Sequence, residues 1–205
     1  MKKVIILFIS ISILSSCAPK IYSDSNISSV IANHQTIAIL PPKVSIAAQK
    51  KVDAQSLIEQ QKTESKNFQK EMYSWFLKRK SQGKLTIDIQ DVETTNTLLT
   101  NLGYFEENTL TPSELAEKLN VDAVLTSNYS ISKPMSEGAA IAVAVIFGVM
   151  GSTDKTSVDL SLHDKNTKKM VWNYNHKASG SFTNANELVD NLMRNASKKL
   201  PYIKK

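Results

Sequence analysis

One cysteine, Cys17, serves the whole 205-residue chain, so no disulfide can close within it. Histidine is scarce as well. His34, His163 and His176 stand too far apart to form a metal-binding spacing with one another or with Cys17. Glycine is sparse, and no GxSxG elbow, phosphate loop or dinucleotide-binding glycine pattern occurs. No apolar run reaches the roughly 20 residues that a transmembrane helix needs. The carboxylates of Asp91, Glu93, Glu106 and Glu107 read as solvated loop charges, not as an acid–base pair. These absences argue against an enzyme and against a resident metal or cofactor. The formal charge of +6 is a mild bias, scattered in doublets such as Lys50–Lys51 and Lys198–Lys199. A nucleic-acid surface would gather such charge on one face among aromatics.

What is present begins at the N-terminus. "MKKVIILFISISILSSC" has two lysines, a short apolar stretch from Val4 to Leu14, two small residues and then the lone cysteine. That is the build of a secretory leader over residues 1–16. "LSSC" resembles the lipobox of bacterial lipoproteins, with Leu14 opening it and Cys17 as acceptor. The resemblance implies cleavage before Cys17, a diacylglycerol on its thiol and an acyl group on its new amino terminus. Two or more acyl chains hold a protein firmly on a membrane. Ala18 stands where Asp would retain an enteric lipoprotein in the inner membrane, which favours the outer membrane, facing the periplasm. Residues 17–34, rich in Ser, Asn and Asp, read as a flexible tether with room for a helical turn at Ile27–Ile31.

Residues 35–205 read as a single α/β domain: a mixed sheet of about five strands in a three-layer-like arrangement with flanking helices. "TIAILPP" is a buried strand closed by two prolines. A long helix is expected from about Lys51 to Ser81, with Leu57, Ile58, Phe68, Met72, Trp75, Phe76 and Arg79 along its buried stripe. Gln60 to Lys66 is polar all round, so that half is expected to meet solvent or a partner helix. "KLTIDIQDV" alternates as a strand, and a short helix ended by Gly103 follows. Thr111, Pro112 and Glu114 form a helix start. "VDAVLTSNYSIS" is the next strand. A hairpin then sets Val158, Leu160 and Leu162 against Asp159, Ser161 and His163. In its second strand Met170, Trp172 and Tyr174 alternate with Val171, Asn173 and Asn175. The hairpin could bring His163 opposite His176, and exposed polar positions explain both equally well. A final amphipathic helix turns Leu188, Leu192 and Met193 inward, with Val189 flanking.

This order is similar to the periplasmic domain shared by the curli-secretion lipoprotein, the penicillin-binding-protein activator lipoproteins, the N-terminal domain of TolB and small lipoproteins of the neisserial vaccine-antigen type. "IAILPP", "TPSELAEKLNVDAVLTSNYS", "VDLSLHDKNTKKMVWNYNHKASG" and the closing helix carry the resemblance. Members often place Gly in the hairpin turn, where this chain has Lys168 or a neighbour. The resemblance implies binding to an envelope protein partner of unknown identity, or to copies of the same chain, without catalytic residues. A subunit of an oligomeric outer-membrane secretion pore is the alternative. The greasy stretch "GAAIAVAVIFGVMGS" is the candidate membrane or subunit interface, through Ala139, Ile141, Val143, Val145, Ile146, Phe147, Val149 and Met150. It is too short for a helical span and lacks the alternation of a barrel strand. Packing into the core is the other reading of it.

Overall fold

Ile37 and Ile39 enter one hydrophobic core, while Ala38 and Leu40 enter another on the opposite side of the same sheet. Successive side chains of a strand point to opposite faces, so this short apolar run builds two layers at once. The computed structural model describes residues 19–46, 53–107, 109–132, 154–180 and 185–204. Among them the strands are β1 (Lys20–Ser23), β2 (Thr36–Ile39), β3 (Lys43–Ile46), β4 (Asp88–Ile89), β5 (Ala123–Ser132), β6 (Asp154–Asp164) and β7 (Met170–Gly180). The helices are α1 (Ile27–Ile31), α2 (Ala54–Ser81), α3 (Val92–Asn101), α4 (Pro112–Lys118) and α5 (Ala185–Ala196). The mixed sheet runs β1-β7-β6-β5-β2-β4, and β3 pairs β5 beyond β2. None of the described helices is long and apolar enough to cross a membrane.

On one face, Phe68, Met72, Trp75 and Phe76 of α2 and Val189, Leu192 and Met193 of α5 pack against Leu125, Leu160, Leu162, Trp172 and Tyr174. Trp75 Nε1 donates to Asp190 (3.1 Å), and buried Arg79 donates through Nε to Ser197 (3.1 Å), tying the two helices together. On the other face, Leu99 of α3 and Leu115 and Ala116 of α4 cover Ala38, Leu40 and Val124. This is the expected three-layer α/β arrangement. The helix ends follow local chemistry. Thr111 and Glu114 close a capping box, and Gly83 and Gly103 take left-handed conformations (φ +67° and +70°) that stop α2 and α3.

Several expectations are corrected. The sheet has seven strands, not about five. One extra strand, β1, lies in the stretch expected to be a tether: it pairs antiparallel with β7, Lys20 opposite Asn175 and Ser23 opposite Trp172. The outer edge of β7 carries N–H and C=O groups that need partners, and Asp24 N–H continues the seal on Val171 O (2.9 Å). The other extra strand, β3, resumes β2 after Pro41–Pro42. Ile39 pairs Leu125 and Lys43 pairs Asn128, so three residues face two across the break. Prolines give the ladder no N–H, and the pairing slips there.

The expected strand at "KLTIDIQDV" shrinks to Asp88–Ile89: Leu85 bridges Ile203 and Thr86 N–H goes to Tyr202 O at one end, and Asp91 turns away to cap α3 at the other. Gln60 and Glu64, expected in solvent or against a partner helix, are buried within the domain, while Ile58 is 45% exposed. Val189 is wholly in the core instead of flanking it. Met170 is exposed because the β6–β7 register shifts between Leu162 and His163.

Candidate functional site

The α3–α4 layer covers only the β2 side of its sheet face, and β5, β6, β7 and β1 continue past it. Their outward side chains fall into cross-strand rows. Thr126, Ser161, Asn173 and Tyr22 form one row; Lys43, Asn128, Asp159, Asn175 and Lys20 form the next; Ser45, Ser130, Ser157 and Lys177 form a third. Antiparallel strands with one buried and one polar side produce such a face. It is held in place by its own hydrogen bonds. Asp159 Oδ1 accepts from Ser161 Oγ (3.1 Å), and Asn173 Nδ2 lies 3.0 Å from each carboxylate oxygen. Asn175 Nδ2 donates to Asp159 Oδ2 (3.1 Å).

Beside this face the Pro41–Pro42 break opens a groove of about 200 Å³. Its apolar wall is Leu40, Pro41, Tyr104, Leu110, Pro112 and Leu115, and its polar floor is Lys43, Thr126, Ser127 and Asn128. Local structure sets each wall. Gly103 N–H bonds to Thr100 O (3.0 Å) and Tyr104 N–H to Leu99 O (3.0 Å), a glycine-ended helix stop that brings the Tyr104 ring to the groove. Burial pushes the Tyr104 hydroxyl above its ordinary pKa, so it stays protonated. Pro112 sits at the first turn of α4, where its missing N–H is no loss. An apolar wall facing the Thr126 hydroxyl, the Asn128 amide and the Lys43 ammonium suits a segment with both apolar and polar groups.

A second polar cluster lies at the base of the sheet. His34 Nδ1 meets the Tyr202 hydroxyl at 2.7 Å, and His34 Nε2 meets Asp164 Oδ1 at 2.8 Å. Burial, then the charges of Asp164 and Asp122, push the Tyr202 hydroxyl far above its ordinary pKa. It therefore keeps its proton and donates to Nδ1, which leaves Nε2–H to donate to Asp164. The set has the order of a hydrolase relay but is sealed: the His34 and Asp164 side chains are 2% and 1% exposed. It joins the start of β2, the β6–β7 turn and the C-terminus.

Cys17 and the run Ala139 to Met150 lie outside the described residues. The two hairpin histidines do not meet. His176 pairs Val158, whose side chain is core, whereas His163 pairs Met170 and shares the outward side of Val124. Burial lowers the pKa of both, with Asp159 opposing the shift at His163. Among the described residues no group of three His, Cys, Asp or Glu side chains could hold a metal ion. The open face was legible as the polar half of the hairpin alternation. The groove was not, because it needs the slip at Pro41–Pro42 and the Tyr104 turn together.

No protein-family model and no curated protein matches the sequence. Solved structures do. Lipoprotein GNA1162 from Neisseria meningitidis is similar at 14% identity, over 80% of this chain and 96% of that one, with a TM-score of 0.45. The PelC dodecamer from Paraburkholderia phytofirmans is similar at 10% identity over 86% and 91%, with a TM-score of 0.39. The LpoB C-terminal domain from Salmonella enterica is similar at 11% identity over 71% and 83%, with a TM-score of 0.36. The solved structures that this α/β chain is similar to thus include a neisserial lipoprotein, the kind of protein its sequence resembles.

Proposed function

We propose that the chain is an envelope lipoprotein, anchored in the outer membrane by acyl groups on Cys17 and facing the periplasm. It works there as a non-enzymatic module that binds another envelope protein. The groove at Pro41 and the Thr126–Ser161–Asn173 row beside it form the binding site. The observation that carries this reading is the preorganised open face. Asp159, Ser161, Asn173 and Asn175 are locked by mutual hydrogen bonds next to a groove with an apolar wall. Side chains already fixed lose little further entropy when a partner arrives. The partly exposed rings and side chains of Tyr104, Leu110 and Pro112 on the apolar wall add apolar contact for the partner.

The test places a photo-crosslinking amino acid at Asn128, on the groove floor, or at Lys62, exposed on α2, in the natural host. One discrete adduct is expected from Asn128 and none from Lys62. Mass spectrometry of the same material should show acylated Cys17 at the new N-terminus. A folded, anchored chain without an adduct at Asn128 overturns the partner-binding reading. Ring-shaped oligomers in detergent would replace it with the pore reading.

A further inference from the structure

The open face is not uniform along its length. From the groove floor onward its polar rows become basic. Lys43 and Lys20 end the row of Asn128, Asp159 and Asn175, and Lys177 lies in the next row among serines. The register sets Lys155 opposite Ser132 and Ser179, one row further. The single acid among these rows, Asp159, is already engaged by Asn173, Asn175 and Ser161. Lys20, Lys43 and Lys177 are exposed, and the ion pairs among the described residues engage other cations: Lys62, Lys70, Lys80, Lys165 and Arg194.

The chain's own path says what this basic end meets. Lys20 pairs Asn175, and the strand then runs away from the lysine rows, to Ser23 opposite Trp172. The chain therefore enters β1 from the basic end. Two residues, Ala18 and Pro19, separate Lys20 from Cys17, a reach of at most about 11 Å. An anchor on Cys17 holds Lys20, and with it this end of the sheet, close to the bilayer surface, about one Debye length away at Lys20. The groove runs from the Lys43–Asn128 row to the Thr126 row, and its Thr126 end stands further along the strands, open to a protein.

We propose that the basic end of the open face, Lys20 and Lys43 with Lys177 beyond them, rests on the anionic phospholipid headgroups of the bilayer that holds Cys17. Lysine ammonium groups near an anionic surface are attracted to it, and the attraction fades within a Debye length. The sheet is thereby fixed upright, with its binding groove presented away from the membrane. This inference rests on the anchoring part of the proposed function.

The test uses the chain purified from membranes with its acyl groups. Acylation blocks the only native thiol, so an environment-sensitive dye on Ser130→Cys, or on Asn166→Cys in the β6–β7 turn as the far control, is unique. Each protein is reconstituted into vesicles of phosphatidylcholine alone or mixed with phosphatidylglycerol, with a headgroup-attached nitroxide quencher. Both proteins should float with both kinds of vesicle. Quenching at Ser130 should exceed that at Asn166 only with phosphatidylglycerol. It should fall to the Asn166 level in high salt, and in the Lys20→Glu, Lys43→Glu, Lys177→Glu triple variant, while flotation persists. Equal quenching at the two positions in anchored protein overturns the inference and leaves the anchor standing. So does quenching at Ser130 that ignores phosphatidylglycerol and salt, the result expected if a second copy covers the face. Failure to float, with Cys17 open to the dye, overturns the anchor reading and this inference with it.

Discussion

The Tyr202 hydroxyl donates to His34 Nδ1 at 2.7 Å, joining residues 168 positions apart. Both side chains are almost wholly buried, so the bond closes the ends of the domain against each other. The C-terminal segment is held further by Thr86 N–H on Tyr202 O (3.1 Å) and Lys204 N–H on Lys84 O (3.0 Å). Tyr202→Phe leaves the ring and removes the donor, stranding a buried imidazole nitrogen. The expected loss is about 1–3 kcal/mol, read as a lower urea midpoint with an unchanged slope. An unchanged midpoint would mean that the hydroxyl contributes nothing.

Asp164, on the other side of the imidazole, gives this cluster a pH dependence. Burial alone would raise its pKa, but hydrogen bonds from the side chain and backbone of Thr167, and then from His34, outweigh burial and hold the carboxyl below its ordinary value. Asp122 is lowered in the same way, burial being overcome by the backbone N–H groups of Gln35 and Thr36 and by Lys165. A depressed folded pKa adds stability above the unfolded value, about 3.9. That stability disappears as pH falls through the folded value. The wild type should lose stability steeply below about pH 4. Asp164→Asn should be weaker at neutral pH and lose less on acidification, so that the two urea midpoints converge. Parallel curves would remove Asp164 from the acid response.

Much of this fold was legible because its signals are local. The capping box at Thr111, the glycine stops at Gly83 and Gly103, and the alternation of Val158, Leu160 and Leu162 each need only a few neighbouring residues. What the sequence hid depends on partners far along the chain. "KIYS" has no strong strand pattern, yet β7 presents an edge that it fills. Met170 keeps its place in the alternation but loses its burial to a register shift. Gln60 and Glu64 look solvated because they are polar, and the long straight helix carries them over the sheet anyway. The open face was half visible, as polar hairpin positions, whereas its neighbour groove depends on three separated segments.

Glu64 should respond oppositely to Asp164. Its side chain is buried, Oε2 has no hydrogen-bond partner, and burial raises its pKa against a weaker opposing bond from Asn67. A raised carboxyl stabilises the fold below its unfolded pKa, and that stability is lost as pH rises. Glu64→Gln removes the charge and keeps the shape. It should stabilise the protein by about 1 kcal/mol at pH 7 and make little difference near pH 4. Thermal melts at the two pH values test this. A destabilised Glu64→Gln at pH 7 would mean that the carboxylate is paired and wanted.

The hairpin turn offers the cleanest backbone test. Asp164 O⁻ groups and Thr167 N–H tighten the turn, and the chain then passes through Lys168 at φ +57°. A left-handed conformation disfavours any residue with a Cβ by about 1–2 kcal/mol, and glycine escapes it. Part of that gain is offset by the greater freedom of glycine in the unfolded chain. Lys168→Gly should therefore raise stability by about 0.5–1 kcal/mol, whereas Lys168→Val, β-branched and less tolerant of positive φ, should lower it. The exposed lysine makes no hydrogen bond that the substitution would remove. Opposite shifts of the melting temperature in the two variants would isolate the backbone effect. A fall in both would show that the lysine side chain, and not its conformation, holds the turn.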